Sequence, residues 1–355
     1  MFRTVDFRYR VLRNGGYYGE IYAPADAAPI LRMDESAEIK MSLSGTFYPQ
    51  VFDRDGQQLP ADWFADEIQP ILVIDGIEHA LAVLAPASVT PYETATSKLM
   101  AIEAYDRSWR VRDSYIETRL FLASGVNYIT AIEQLLSAAS ISSVLATPTS
   151  ATIPENRSDW DLGTSYLTII NELLSEINYN PLWFNADGVA ILEPVSVPTA
   201  NNIAHTLDAD NVKSLMLPQI SRETDVYSAP NVFLCLCSNP DKSDLMTATA
   251  ENTNPESPLS IQRRGRRIVR VVTVNNVASQ TELQSYADRL RNESLIGGET
   301  ISVSTALLPG FGVADVVALH YGDLAALCIE RAFEMELRVG GNMRHTLDKV
   351  VYNLG

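Results

Sequence analysis

The stretch GTSYLTIINELLSEINYNPLWFNADGVAILEP, from Gly163 to Pro194, predicts a capped helix followed directly by a β-hairpin. Thr164 or Ser165 supplies an N-cap oxygen, and apolar residues then recur at steps of three and four, which is typical of one buried helix face. These apolar residues are Leu167, Ile170, Leu173, Leu174 and Ile177. Asn178 and Pro181 should end the helix. Residues 181–184 and 189–192 then form strands around the turn at 185–188.

Length and charge limit the possible classes of protein. A chain of 355 residues is too long for one ordinary core, so two to four domains are expected. The 27 basic and 44 acidic residues give a net charge of −17, which argues against a general nucleic-acid binder, since that activity needs clustered positive charge.

The sequence contains no apolar run long enough to span a bilayer, which needs roughly 18 to 20 residues. Its start, MFRTVDFRYRVLRNGG, alternates charged and apolar residues where a signal peptide would be continuously apolar. We therefore expect a protein that is made and folded in the cytoplasm.

The chain has three cysteines. Cys235 and Cys237 lie two residues apart in an apolar strand and should point to the same face as small core residues. A metal site is the alternative, but no histidine or second cysteine pair nearby would complete four ligands.

The amino-terminal part reads as a β domain at residues 1–115. A hairpin is expected around Asn14-Gly15-Gly16, because Asn-Gly is a strong signal for a two-residue turn. Further strands are predicted at 37–43, 71–74, 80–84 and 98–105. Short strands separated by loops rich in Pro, Asp and Gly favour an antiparallel barrel or sandwich.

The pattern of residues 116–199 predicts an α/β module. Asn127 can cap a helix whose apolar face should cover the same sheet as the helix at 164–177. This face consists of Ile129, Ile132, Leu135, Leu136 and Ala139. The two helices flank a link at 140–156 that is rich in Ser, Thr and Pro.

A second set of strands is predicted after residue 199, at 212–217, 219–224 and 231–237 and then at 300–307, 315–320, 325–329, 333–338 and 345–353. We assign residues 200–237 and 297–355 to this second β domain and residues 238–296 to an insertion. Within the insertion, residues 238–260 are polar and predict a surface loop or flexible segment. A helix follows at 279–295, with Ser279 as its cap, and Gly297-Gly298 should end it.

Four arginines, Arg263, Arg264, Arg266 and Arg267, form the one dense basic cluster of the sequence. The simpler interpretation is a solvated arm that contacts acidic neighbours in the same assembly. Phosphate binding is the alternative, because four arginines in five positions create a local positive field.

The sequence also contains two segments of similar pattern, which we call the internal echo. The segments that begin at Ile71 and Val316 share a pattern of apolar strand, glycine turn and apolar strand, about 245 residues apart. Identity between them is poor, so the echo is either chance similarity of two β meanders or two copies of one barrel interrupted by the α/β module.

The sequence gives no catalytic, metal-binding or cofactor-binding constellation. His79, His205, His320 and His345 are scattered singly, and Gly310-Phe311-Gly312 reads as a loop between strands. Three acidic pairs, Asp34-Glu35, Asp53-Asp55 and Asp208-Asp210, are expected to be turn residues. We therefore assign no site residues and no cofactor.

Two runs, AYDRSWRVRDSYIETRLFLASGVNYITAIEQLL from Ala104 and the stretch from Gly163, resemble the central part of baseplate or tail-tip hub proteins of tailed phages and related contractile injection systems. The closest points are Ala104-Tyr105-Asp106-Arg107, the capped helix at 125–136 and the turn at 185–188. The carboxyl end, with Pro309, residues 315–319 and GGNMRHTLDKVV, resembles the closing barrel strands of that family.

This resemblance implies an α+β, predominantly β fold, with two tube-like antiparallel β-barrels and α/β insertions. It implies a non-enzymatic homotrimer whose six barrels match the sixfold tail tube. The implied partners are the tail tube or distal tail protein, the tape-measure protein, the central spike and baseplate wedge proteins. DNA would pass through the lumen without specific binding, in a virion tail assembled in the host cytoplasm and without membrane insertion.

The chain ends at Gly355 soon after the last predicted barrel strand, so a fused wall-degrading domain is not expected. The alternative to a hub is a carbohydrate-binding or carbohydrate-cleaving β protein of the tail. A monomer that binds glycan would favour that alternative, and a cytoplasmic enzyme is disfavoured by the lack of a catalytic constellation.

Overall fold

The structure is a computed structural model that describes residues 3–93, 97–196, 198–224, 229–237, 246–255, 257–274 and 280–350. It is predominantly β, as predicted. Residue contacts divide the chain into two compact units. The first contains Met1–Val195, Ser304–Ala314 and Arg331–His345, and the second contains Ser196–Val303, Asp315–Glu330 and Thr346–Gly355.

The amino-terminal part of the first unit supplies ten strands. They are β1 (Val5–Arg13), β2 (Gly16–Ile21), β3 (Ile30–Asp34), β4 (Met41–Phe47), β5 (Val51–Phe52), β6 (Gln58–Leu59), β7 (Glu67–Ile74), β8 (Ile77–Ala80), β9 (Leu84–Glu93) and β10 (Lys98–Asp106). Their hydrogen-bonded order is β3-β4-β10-β9-β7-β1-β2-β5-β6, and β8 pairs with β7. The alternation of buried and exposed residues along strands such as β1 and β10 places one face of this sheet on a core.

Two hairpins in this sheet have two-residue turns. The sequence predicts the first, and the second contains the glycine turn that follows the strand at 71–74, with its returning strand earlier than predicted. Arg13 pairs with Gly16 across Asn14 and Gly15, both of which have positive φ (53° and 75°). Ile74 pairs with Ile77 across Asp75 and Gly76, which also have positive φ. Asn, Asp and Gly tolerate this left-handed conformation, which explains why these dipeptides fix both turns.

The rest of the first unit's amino-terminal segment is a module, here called the two-helix module. It contains α2 (Tyr128–Ala138), α3 (Tyr166–Glu176) and the strands β11 (Val144–Ala146), β12 (Trp183–Phe184) and β13 (Ala190–Leu192). A short helix, α1 (Ser108–Arg112), precedes it. β13 is the central strand, with β12 antiparallel and β11 parallel to it.

The predicted helix caps are confirmed. The Asn127 side chain accepts hydrogen bonds from the N–H groups of Ile129 and Thr130, and the Ser165 side chain accepts from Leu167 and Thr168. The predicted apolar faces of both helices pack into one cluster together with Leu182, Phe184, Ala190 and Leu192. The two helices therefore share one core, as expected.

The second unit contains β14 (His205–Asp208), β15 (Met216–Glu223), β16 (Val232–Cys237), β17 (Met246–Glu251), β18 (Val269–Val274) and β20 (Val316–Tyr321), with the helices α4 (Ile261–Arg264) and α5 (Gln280–Leu295). Three longer strands, β19 (Ile296–Ala306), β21 (Leu324–Glu336) and β22 (Asn342–Val350), contribute residues to both units. β14 pairs in parallel with β20, and β20 and β21 form a hairpin across Gly322 and Asp323.

A second three-stranded sheet lies in this unit. β16 is its central strand, with β17 antiparallel and β18 parallel to it. Cys235, Cys237, Ala248 and Ala250 pack on α5 through Leu283, Ala287 and Leu290. We call this sheet and α5 the one-helix module.

Three predicted strands have wrong boundaries. The strand expected at 37–43 begins only at Met41, because Asp34 accepts hydrogen bonds from Ser36 and the Lys40 ammonium caps the carbonyls of Glu35 and Ala37, which makes a turn. The strand expected at 80–84 is a buried connection between β8 and β9. The strand expected at 212–217 begins at Met216, after a turn in which Lys213 N–H donates to Asn211.

One loop prediction and one strand prediction are wrong, because polar residues occur within strands here. The polar segment at 238–260 contains β17, in which Ala248 and Ala250 are buried while Thr247 and Thr249 are exposed. Its residues 238–245 and 256 lie outside the described residues. β21 is one strand where two were expected, because Arg331 in its middle forms an ion pair with Glu35 (2.7 Å).

The third helix is confirmed at Gln280–Leu295, and it ends at the predicted residue. The two glycines expected to end it lie in β19, which begins directly at Ile296. Its predicted cap, Ser279, lies outside the described residues, as do residues 351–353 of the last predicted strand.

In each unit the described strands follow an open hydrogen-bonded order. The two barrels and the domain boundaries therefore stay predictions.

Candidate functional site

The four histidines have separate environments. His345 is buried, with Thr305 Oγ1 at 3.1 Å and the Phe311 ring centroid 4.7 Å from its own. His205 lies 3.2 Å from a carboxylate oxygen of Asp315. His79 is half-buried in β8, and His320 is exposed in β20. Among the described residues, no group of three or more His, Cys, Asp or Glu side chains could hold a metal ion.

The three acidic pairs are turn residues, as predicted. Asp53 accepts hydrogen bonds from the N–H groups of Asp55 and Gln57, and Asp208 accepts from Asp210. Asp34 accepts from Ser36, while Glu35 forms an ion pair with Arg331. These carboxylates therefore have local structural roles. Gly310-Phe311-Gly312 lies in the connection between β19 and β20, as expected.

Cys235 and Cys237 are buried, face α5 from the same side of β16 and carry free thiols, as the sequence predicted. Cys328 in β21 is also buried and free. Burial raises the pKa of Cys235 and raises the pKa of Cys328 to about 12. Thiols of this kind are largely protonated and unreactive near neutral pH.

A buried ionic contact that sequence reasoning missed joins the two-helix module to the sheet of the first unit. The Arg107 guanidinium donates two hydrogen bonds to the Glu67 carboxylate (2.9 and 2.6 Å), and Arg110 lies 3.3 Å from the same group. Arg107 also donates to the carbonyl oxygen of Gly188 in the turn between β12 and β13 (2.7 Å). Bidentate contacts of this type fix orientation as well as distance. We call this contact the arginine anchor.

Asp106, the residue before the anchor, is almost fully buried at the end of β10. Its carboxylate accepts hydrogen bonds from the N–H groups of Met41 (2.8 Å) and Ser108 (2.7 Å). Burial raises the pKa of Asp106, and burial lowers the pKa of nearby Lys40. Asp106 and Arg107 therefore connect β10 to β4, α1 and the two-helix module, which gives the Ala104–Arg107 motif a structural role.

The arginine cluster lies beside the one-helix module. Arg267 forms an ion pair with Glu251 at 2.7 Å, and its hydrogen bond lowers the pKa of that carboxyl. Arg264 donates to the carbonyl of Ala229, while Arg263 and Arg266 are exposed. Arg267 thus has an acidic partner within its own chain, while contact with acidic neighbours in the assembly and phosphate binding both stay predictions.

The outer face of the one-helix module carries exposed apolar residues. Val269 and Val271 on β18 are 51% and 56% exposed, and Leu234 is half-buried beside Val271. β18 is also an edge strand of its sheet. An exposed apolar face at a sheet edge is typical of a surface that contacts another protein.

Among the described residues, no helix is both long and apolar enough to cross a membrane.

Comparison with protein-family models gives no match, and comparison with curated proteins gives none either. Solved structures do match. The tail protein from Neisseria meningitidis MC58 aligns with a TM-score of 0.68 and 12% identity, over 98% of this chain and 99% of that one. The chain has the tail-protein fold.

Two further structures share the tail-protein fold. The 43 kDa tail protein of prophage MuSo2 from Shewanella oneidensis has a TM-score of 0.66 and 11% identity, over 96% of this chain and 98% of that one. The E. coli c3393 protein, described as a type VI secretion component similar in structure to the T4 bacteriophage tail proteins gp27 and gp5, has a TM-score of 0.53 and 9% identity, over 97% and 77%.

Proposed function

We propose that the chain is a structural, non-enzymatic baseplate hub subunit of a phage tail or a related contractile injection system. In this role three copies form a ring with pseudo-sixfold symmetry that joins the tail tube to the central spike. The observation that supports the proposal is the tail-protein fold, which extends over nearly the whole length of this chain, of the Neisseria meningitidis tail protein and of the prophage MuSo2 tail protein.

Under this proposal each chain supplies two tube-like β-barrels, at residues 1–115 and at 200–237 with 297–355. The modules at 116–199 and 238–296 are insertions between or within them. The internal echo supports this division, because the two echoed segments form two hairpins with two-residue turns, β7-β8 and β20-β21. Two related barrels per chain would give a trimer six similar units, which is what a sixfold tube requires.

The proposed partners are the tail tube or distal tail protein, the tape-measure protein, the central spike and wedge proteins, in a virion tail assembled in the host cytoplasm. The ring would also line the passage for DNA. A net charge of −17 suits such a passage, because an acidic wall repels phosphate and would not trap the moving genome.

The proposal is tested by native mass spectrometry together with electron microscopy of negatively stained protein. We expect a trimeric mass and a threefold ring, with interfaces of more than about 2,000 Å² as in permanent assemblies. A monomer or dimer at high protein concentration would contradict the proposal. A monomer that also binds glycans on an array would favour a carbohydrate-binding tail protein instead.

A further inference from the structure

The sheet of the one-helix module has two edges that differ in how they are covered. At the β17 edge, the carbonyl oxygen of Thr247 accepts a hydrogen bond from the Gln280 side chain (2.8 Å). The carbonyl oxygen of Thr249 accepts one from the Gln284 side chain (3.2 Å). At the β18 edge, no described strand pairs with the outer side of β18. Helix α5 therefore covers one edge, and the other edge is open.

The backbone groups at the open edge can be identified from one hydrogen bond. The N–H of Val232 donates to the carbonyl oxygen of Ile268 (3.1 Å), so Ile268 faces β16. Because the hydrogen-bonding side alternates along a strand, every second residue after Ile268 also faces β16. The N–H and C=O groups of Val269, Val271 and Thr273 therefore point away from the sheet. A row of this kind is a template for pairing with another strand.

The side chains at this edge differ between the two faces of the sheet. Val269 and Val271 are exposed on the outer face, whereas Val272 packs towards α5. Arg270 lies on the same side as Val272 but is exposed. Side chains of paired strands that lie directly opposite each other share a face of the sheet. A strand added here would therefore meet apolar side chains on one face and a positive charge on the other.

The charge around this edge is positive. Residues 257–274 contain five arginines and no acidic residue, in a chain with a net charge of −17. Glu251, at the end of β17, is paired with Arg267. The exposed arginines that form no ion pair among the described residues are Arg263, Arg266 and Arg270. The edge of β18 therefore lies in a local positive field that favours an acidic partner.

A second copy of β18 does not suit this edge. It would bring a second Arg270 and a second arginine cluster to the same place, and like charges opposite each other destabilise strand pairing. Charged side chains on an edge strand are a common protection against pairing with identical chains. The same charges favour a strand that carries acidic residues, so they also select the partner.

We infer that β18 accepts an extended segment of a neighbouring protein as an additional strand, and that this segment alternates apolar and acidic residues. Its apolar side chains cover Val269 and Val271, and its acidic side chains face Arg270. Backbone hydrogen bonds supply the affinity of such a contact, and alternate side chains supply its specificity. The inference goes beyond the proposed function, because this contact does not require three copies to form a ring.

The direct test is fluorescence anisotropy of the full-length protein with a labelled, capped peptide. In this peptide glutamate and valine alternate over the six-residue length of β18. We expect saturable binding that weakens as salt is added, because salt screens exposed charges. Two control peptides should bind at least about tenfold more weakly. One has lysine in place of glutamate, and the other has the same residues arranged as a glutamate block and a valine block.

Backbone methylation of the peptide distinguishes strand pairing from simple charge attraction. One peptide is N-methylated at its valines and the other at its glutamates. Only one of these two sets of N–H groups can face β18, and the set depends on whether the added strand is antiparallel or parallel. One methylated peptide should therefore bind like the parent peptide, and the other should lose binding.

Protein variants locate the contact. Val271→Glu places a carboxylate against the acidic segment and should weaken binding at least about tenfold. Arg270→Ala removes one exposed charge pair and should weaken binding about two- to fivefold. Arg54→Ala is the matched control, because Arg54 is an exposed arginine of the first unit and should leave binding unchanged. All three positions are exposed, so circular dichroism should show unchanged folds.

The inference is overturned if the alternating peptide does not bind saturably, if the block peptide binds equally well, or if the two methylated peptides behave alike. It is also overturned if a labelled single-stranded oligonucleotide binds more tightly than the peptide, since phosphate would then be the ligand of the arginines. None of these results bears on the proposed ring, which is tested by the mass and the image of the wild-type protein.

Discussion

The sheets of the two-helix module and the one-helix module have the same pattern of strand directions but differ in how they are covered. In each, a central strand has one antiparallel and one parallel neighbour. Two helices and their connecting loops bury the first sheet in a large core, and the arginine anchor fixes it to its unit. One helix covers the second sheet, whose other face exposes Val269 and Val271.

This difference shows that the directions of the strands alone do not decide whether a small α/β module serves folding or contact. The first module has a core of its own and a buried ionic attachment. The second leaves apolar side chains and arginines in solvent, which are the residue types that favour protein interfaces. The one-helix module is therefore the better candidate for contacts with neighbouring tail proteins.

The largest expected effect follows from breaking the anchor. Glu67→Ala should destabilise the first unit by about 3–5 kcal/mol, because it leaves the guanidinium of Arg107 in a mostly buried place without its partner. Urea unfolding measures the loss, and hydrogen exchange should show faster opening of β12 and β13. Glu78→Ala is the control, since its ion pair with Arg8 is exposed and contributes about 0–1 kcal/mol. Equal losses for both variants would disprove a special role of the anchor.

The unfolding free energy should depend on pH with opposite signs at two buried or paired carboxylates, one in each unit. Asp106 has a folded-state pKa raised by burial above its ordinary 3.8, so its stabilising contribution is complete below pH 3.8 and is lost as the pH rises through the folded pKa. Asp106→Asn should remove this loss, which amounts to about 1.4 kcal/mol for each unit of pKa difference.

In the second unit, a hydrogen bond from Arg222 lowers the pKa of Glu299 below its ordinary 4.5, and Lys349 lies 3.0 Å away. Its contribution is present above pH 4.5 and is lost as the pH falls through the folded pKa. Glu299→Gln should reduce the decrease in unfolding free energy that occurs at low pH. Asp106→Asn should leave this decrease unchanged. A single shared pH profile for both variants would contradict this assignment.

A smaller effect is expected at the helix caps. Asn127→Ala should cost about 1 kcal/mol, since two N–H groups at the start of α2 lose their acceptor. Asn127→Ser is the conservative control and should recover most of the loss in thermal unfolding. Ser260→Ala, at the start of the four-residue α4 in the second unit, should have less effect because that helix buries no residue.

The smallest effect should come from the outer face of the one-helix module. Val271→Thr should change the unfolding free energy by no more than about 0.5 kcal/mol, because the side chain is exposed and threonine suits a strand. Val272→Thr, one residue further along β18, should cost about 1–3 kcal/mol, because its hydroxyl would enter the core under α5. Equal effects of these neighbours in urea unfolding would show that both faces are buried.

Features fixed by neighbours in sequence could be predicted from the sequence. The caps at Asn127 and Ser165 and the turn at Asn14-Gly15 need only a few adjacent residues, and all three are confirmed. The buried face of β16 followed from two-residue alternation at Cys235 and Cys237.

Features that depend on distant partners could not be predicted in this way. Glu67 and Arg107 lie 40 residues apart, so nothing local marks them as a pair. The charges in the middle of β21 suggest a loop until Glu35 is placed beside Arg331.

The three shielded thiols give this chain a practical use as a labelling scaffold. A single cysteine introduced on the surface would be the most accessible thiol of the described residues, because Cys235, Cys237 and Cys328 are buried. Maleimide dyes would then report distances between copies by energy transfer without removal of any native cysteine. Assembly of the particle could be followed in real time with a protein that keeps its native core.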